Sequence, residues 1–169
     1  MVKTSPQIAA VFGRISKMDI AQESPLSPDL ALLMSRHTAD MHADTPPESI
    51  HMMDAGQLAI PEVQFFVMRS AGAPVAMGAI KRIDANHAEV KSMHVLAEWR
   101  GKGLSKALLD HLVFSAKIAG YSRLCLETGS QPMFAPARNL YESASFEHCG
   151  PFEGYHEDPN SVFMMRTLA

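Results

Sequence analysis

The run Arg100-Gly101-Lys102-Gly103-Leu104-Ser105 carries the plainest chemistry in the chain. It lies between a strand-like stretch and a helix-like one. Glycines at 101 and 103 let the backbone turn tightly and approach a ligand closely. N–H groups at a helix start, together with the helix dipole, favour an anion. Arg100 and Lys102 add charge suited to phosphate. The segment therefore points to a phosphate or pyrophosphate site, although a glycine-rich strand-to-helix turn is also a common structural device. It is not a P-loop, because the spacing G-x-x-x-x-G-K-S/T is missing. It is not a full Rossmann fingerprint, because one Gly-x-Gly is present and no third glycine follows.

The stretch Glu89–Val95 just before it breaks its own pattern. In a regular strand Val90, Ser92 and His94 share one face, and Glu89, Lys91, Met93 and Val95 share the other. The apolar positions are instead 90, 93 and 95. That change of parity predicts a β-bulge near Lys91-Ser92.

The run from Val95 through Arg100, Gly103 and Ser105 to Leu109 resembles motif A of the GNAT acetyltransferases, Gln/Arg-x-x-Gly-x-Gly/Ala. Ser105 departs from that pattern but is small enough to spare the approach of a pyrophosphate. The run Ala137-Arg-Asn-Leu-Tyr141 through Phe146 resembles motif B, Ala-x-x-Leu-Tyr-x-x-x-Gly-Phe. Ser145 stands there for a helix-ending glycine, and Phe134 for an asparagine that many relatives place near the coenzyme arm. The resemblance covers residues 60–168 well and the first 59 poorly. The segments Leu126-Glu127-Thr128-Gly129 and Asp158–Phe163 are more narrowly similar to bacterial GNAT proteins labelled indole-3-acetate acetyltransferase-like.

The resemblance implies direct transfer of an acetyl group from acetyl-CoA to the neutral amine of a small molecule, amino acid or peptide. It implies coenzyme contact by Met93, His94 and Val95, mainly through the backbone, and by residues 100–105. Glu89 is the expected general base, since Ala88-Glu89-Val90 matches the Ala-Glu-Ile of the histone acetyltransferase branch; Glu127 competes for the role. Tyr141 is the expected general acid, its ordinary pKa of about 10 keeping it protonated. A non-catalytic acyl-CoA-binding module and a generic nucleotide binder are the alternatives. A covalent route through Cys125 is disfavoured, because Cys125 sits between Leu124 and Leu126 in a strand-like run and buried cysteine is common. Family members are often dimers, so a homodimer is an expectation of the resemblance alone.

The expected positioning elements begin with a strand at Ile15–Ile20 and a helix started by Ser27-Pro28-Asp29, followed by Leu30, Leu33, Met34, His37 and Met41 at helical spacing. A short helix is expected at Asp54–Leu58, and strands at Val63–Arg69, Pro74–Ile83 and Glu89–Val95. A helix at Leu104–Ala119 ends at Gly120. A strand at Arg123–Glu127, a helix at Pro136–Ala144 and strands at Phe146–Phe152 and Ser161–Thr167 complete the reading. Antiparallel strands followed by a strand–helix–strand unit predict an α/β fold: a mixed, mostly antiparallel sheet flanked by helices.

The 169 residues suit a single domain with its own core. A formal net charge of −3 and no basic stripe argue against nucleic acid as partner. Apolar runs are too short to span a bilayer, and residues 1–18 lack a signal-peptide core. A cytoplasmic protein is the expectation. Cys125 and Cys149 form no CxxC pattern, so neither a zinc site nor a disulfide framework is expected. The first half and the end loop should shape the acceptor pocket, with acids at Asp40, Asp44, Glu48 and Asp54 and at Glu153, Glu157 and Asp158. They attract a cationic amine or merely solubilise. Phe152 and Tyr155 are candidates to line that pocket, and Phe65 and Phe66 to fill the core.

Overall fold

A computed structural model describes residues 18–168. The elements run β1 (Met18–Gln22), α1 (Ala31–Asp44), α2 (Ala55–Leu58), β2 (Val63–Ser70), β3 (Ala73–Arg82) and β4 (His87–Val95), then α3 (Leu104–Ile118), β5 (Arg123–Gly129), α4 (Ala135–Ser143), β6 (Glu147–Cys149) and β7 (Ser161–Thr167). The expected lead-in and the start of the expected first strand lie outside the described residues; β1 continues that strand to Gln22.

The seven strands form one sheet in the order β1-β2-β3-β4-β5-β7-β6. Every neighbouring pair is antiparallel except β4–β5. This is the expected mixed, mostly antiparallel sheet. Helix α3 carries Leu104, Leu108, Leu109, Leu112, Val113 and Ala116 on its buried stripe, three or four residues apart. It lays that stripe on β3 and β4, where Leu109 and Leu112 join Ile80, Val90, Leu124 and Met164 in the main core. The opposite face of the sheet is covered by α1, whose Leu33 packs with Leu30, Phe65, Val67 and Met77. Each of these fully buried leucines stabilises the fold by about 2–5 kcal/mol relative to alanine.

Two expected boundaries shift. Ser27 makes no side-chain capping bond; Pro28–Leu30 form a 3-10 turn, and the regular helix begins at Ala31. Proline at the head of the turn sets φ but removes a donor, which favours the tighter turn first. The expected strand Phe146–Phe152 shrinks to β6, because Gly150 and Pro151 end its ladder. Asp54 does cap α2, accepting from Gln57 N at 2.7 Å while the Gln57 side chain accepts from Asp54 N. Gly120 ends α3 at φ +89°. Among the described residues no helix is long and apolar enough to cross a membrane.

Candidate active site

The site begins where β4 departs from regularity. Met77 pairs with His94 and Ala79 with Lys91, so Ser92 and Met93 together oppose Gly78. Ser92 adopts φ +56°. This is the bulge that the parity break predicts, and it turns Met93 and Val95 toward α3 while His94 faces α1. On its other edge β4 pairs with β5 only over His87–Glu89 against Arg123–Cys125. Beyond that point the two parallel strands part, and the bulge lies in the gap.

A cleft of about 470 Å³ occupies this gap. It runs from Arg100, Gly101 and Gly103 past Met93 and His94 to Tyr141. Gly101 and Gly103 have φ of +74° and +80°, and a Cβ on either would meet nothing within 4 Å. The loop therefore offers bare, left-handed backbone at the N-terminus of α3, a shape and polarity suited to a diphosphate. Leu104, Ser105 and Lys106 line the same end. Lys102 is not among the lining residues; its Nζ sits 4.7 Å from the centre of the Trp99 ring. Arg100 lines the cleft, but its Nε donates to Val95 O and its guanidinium to Asp40 of α1, both at 2.9 Å.

A second, smaller chamber of about 120 Å³ shares Met93, Phe134 and Tyr141 with the cleft and continues between β4 and β5 to Lys91 and Glu127. Phe134, standing where the coenzyme-arm asparagine was expected, is packed against Gly129: a Cβ there would overlap the ring. It presents an apolar wall to both cavities and no hydrogen-bonding group.

The ionisable side chains divide by environment. Glu89 is 3% exposed and lines neither cavity. Its Oε1 accepts the Tyr155 hydroxyl at 2.5 Å and lies 3.4 Å from Lys91 Nζ. Lys91 in turn donates to Tyr155 Oη and to His51 O, both at 2.9 Å. Burial and the Glu89 charge hold the Tyr155 phenol well above its ordinary range. Glu127, by contrast, lines the chamber, and burial pushes its carboxyl up to about 7. Tyr141 lines both cavities; its hydroxyl donates to Met93 Sδ at 3.8 Å, and burial pushes it up to about 12. Burial holds both His37 and His94 down to about 4, so both rings are neutral near pH 7. Cys125 is buried, lines neither cavity and is pushed up to about 11, which makes it a poor acyl carrier.

The structure thus gathers Met93, His94, Val95, residues 100, 101, 103, 104 and 105, and Tyr141 around one cleft. It sets Glu89 and the Lys102 side chain apart from it. Three contributors escaped the sequence reading. Lys91 shares a strand face with Glu89 two residues away, a signal that alternation offers. Lys106 lies in the first turn of α3. The bond from Tyr155 to Glu89 spans 66 residues and leaves no local trace.

The family model described as "Acetyltransferase (GNAT) family" matches residues 32–146. YsnE of Bacillus subtilis (strain 168), described as an uncharacterized N-acetyltransferase, is 44% identical over 136 residues, covering 80% of this chain and 90% of the relative. An IAA acetyltransferase of Azospirillum brasilense is 37% identical over 153 residues, covering 88% and 97%. Among solved structures, a GNAT family acetyltransferase from Elizabethkingia anophelis with acetyl-CoA bound matches with a TM-score of 0.64 at 18% identity, covering 90% of this chain and 99% of that one; this likeness concerns the fold.

Proposed function

The chain belongs to the GNAT family and is an acetyltransferase, and from that premise we propose that it moves an acetyl group from acetyl-CoA to an amine of a small molecule, amino acid or peptide by direct transfer. The observation that carries this reading is the adjacency of the two cavities: the cleft leads from a bare glycine loop to Tyr141, which also lines the chamber that holds Glu127. The residues present fit the donor. Backbone N–H groups of residues 101–105 at the head of α3 receive the diphosphate, Lys106 stands beside them paired with Asp110 at 2.7 Å, and Met93, His94 and Val95 flank the pantetheine arm. The 169-residue chain acts as one catalytic domain.

Glu127 takes the role of proton acceptor in place of Glu89. A base must face the amine and exchange a proton near neutral pH. Glu127 does both, whereas the Glu89 carboxylate is closed off by Tyr155 and Lys91. The amine nitrogen bonds to the carbonyl carbon as its proton passes to Glu127. The carbon–sulfur bond breaks, and Tyr141 supplies a proton to the departing thiolate. A phenol raised to about 12 stays protonated until that moment.

Calorimetric titration with acetyl-CoA tests the donor, with ATP and NAD as controls, followed by free-thiol detection over an amine library. Saturable binding of acetyl-CoA alone and amine-dependent thiol release are expected. Absence of acetyl-CoA binding overturns the reading and leaves the glycine turn a structural feature.

A further inference from the structure

The acceptor chamber holds one Lys or Arg side chain among the described residues, and that cation already has an acidic partner. Lys91 is 11% exposed. Its ammonium has three N–H donors. His51 O and Tyr155 Oη accept at 2.9 Å, and Glu89 Oε1 lies at 3.4 Å. A carboxylate arriving with the acceptor would have to compete with these three for the ammonium. His37, on the α1 wall, is kept neutral by burial, and the His51 ring stands edge-on against Tyr155 at 5.0 Å. The other charge bordering the chamber is the Glu127 carboxylate, and Glu89, behind the wall, offsets the charge of Lys91.

Much of the remaining wall is apolar and deformable, with Met41, Met52, Val90, Met93 and Phe134, and its Ser92 and Thr128 hydroxyls carry no charge. Thioethers adapt to irregular shapes and contact aromatic rings favourably. A zwitterionic amino acid would leave its carboxylate desolvated, without a cation and close to Glu127. Like-charge juxtaposition of that kind costs several kcal/mol.

We infer that the acceptor is a small monoamine with an apolar body and no carboxylate. This rests on the acetyl-transfer reading above and narrows its acceptor from amines in general.

The test compares matched pairs at pH 8 with saturating acetyl-CoA, subtracting the uncatalysed thiol release: phenethylamine against phenylalanine, and isobutylamine against valine. Phenylalaninamide serves as the control that keeps the α-substituent and removes the charge. The amines should exceed their amino acids in kcat/KM by about tenfold or more, as a charge penalty above about 1.4 kcal/mol requires. Phenylalaninamide should side with phenethylamine. Met52→Arg, which places a cation on the chamber wall, should narrow the gap. Equal or better use of the amino acids overturns the inference, as does an amide as poor as the acid, which would make bulk the cause. Calorimetry on the same preparation separates the two levels. Acetyl-CoA binding without turnover of any monoamine overturns the acceptor assignment alone; no acetyl-CoA binding overturns the transfer reading and this inference with it.

Discussion

Replacing Glu127 by Gln separates proton chemistry from packing, because its effects on stability and on activity have opposite signs. Burial raises the carboxyl from 4.5 to about 7. At about 1.4 kcal/mol per pH unit, the fold disfavours the ionised form by at most about 3 kcal/mol. The folded state therefore holds a proton that the unfolded chain releases between pH 4.5 and about 7. Wild-type stability contributed by this group is full below the unfolded pKa and is lost as pH rises through the folded one. Gln has no proton to lose. The advantage of Glu127→Gln over the wild type should grow by roughly 2–3 kcal/mol between pH 5 and pH 8, read by urea unfolding at both values. Activity runs the other way. Wild-type kcat/KM should rise with pH to a midpoint near 7, and the variant should lose about 10²–10⁴ and that midpoint together. A stability difference that is the same at pH 5 and pH 8 refutes burial as the cause of the shift. A variant that keeps both its rate and the midpoint refutes Glu127 as the proton acceptor.

Ser145 ends α4 at φ +68°, so Ser145→Gly should stabilise the protein by about 1 kcal/mol, a rise in Tm of about 2–4 °C by calorimetric scanning. Tyr155→Phe removes the donor to Glu89 and an acceptor for Lys91, and should cost about 1–3 kcal/mol in urea unfolding while leaving the acetyl-CoA Kd unchanged. Gly129→Ala puts a Cβ into the Phe134 ring, which must swing away from the wall shared by cleft and chamber. Its acetyl-CoA affinity should fall by about tenfold or more, an energy above about 1.4 kcal/mol, in a calorimetric titration.

Much of the scaffold was legible because its signals are local. The stripe of α3 repeats every three or four residues, and the β4 bulge announces itself as a change of parity at Ser92. The left-handed Ser145 follows from its place at the end of a helix. The left-handed glycine loop was legible for the same reason, since Gly101 and Gly103 are neighbours in sequence. What stayed hidden depends on contacts between distant segments. Glu89 and Glu127 stand on adjacent strands as similar residues in similar runs. Only the three-dimensional fold shows that Tyr155 closes over the first while the second faces open space. Lys102 was expected at phosphate by its place in the loop, yet Trp99, three residues back, offers its ring to the ammonium.

Helix α1 touches both halves of the site. Its Asp40 holds Arg100 of the glycine loop at 2.9 Å, and its Arg36 pairs with Glu98 of the preceding turn at 2.5 Å. Its His37 and Met41 line the cleft and the chamber alike. If the cleft takes the donor and the chamber the acceptor, one helix borders both, and the two binding events are legs of a single thermodynamic cycle. Any factor by which a filled cleft alters acceptor affinity must return, unchanged, as the factor by which a bound acceptor alters donor affinity. Asp40→Asn, which weakens the helix's grip on the loop without touching the chamber wall, should shrink that factor equally in both directions.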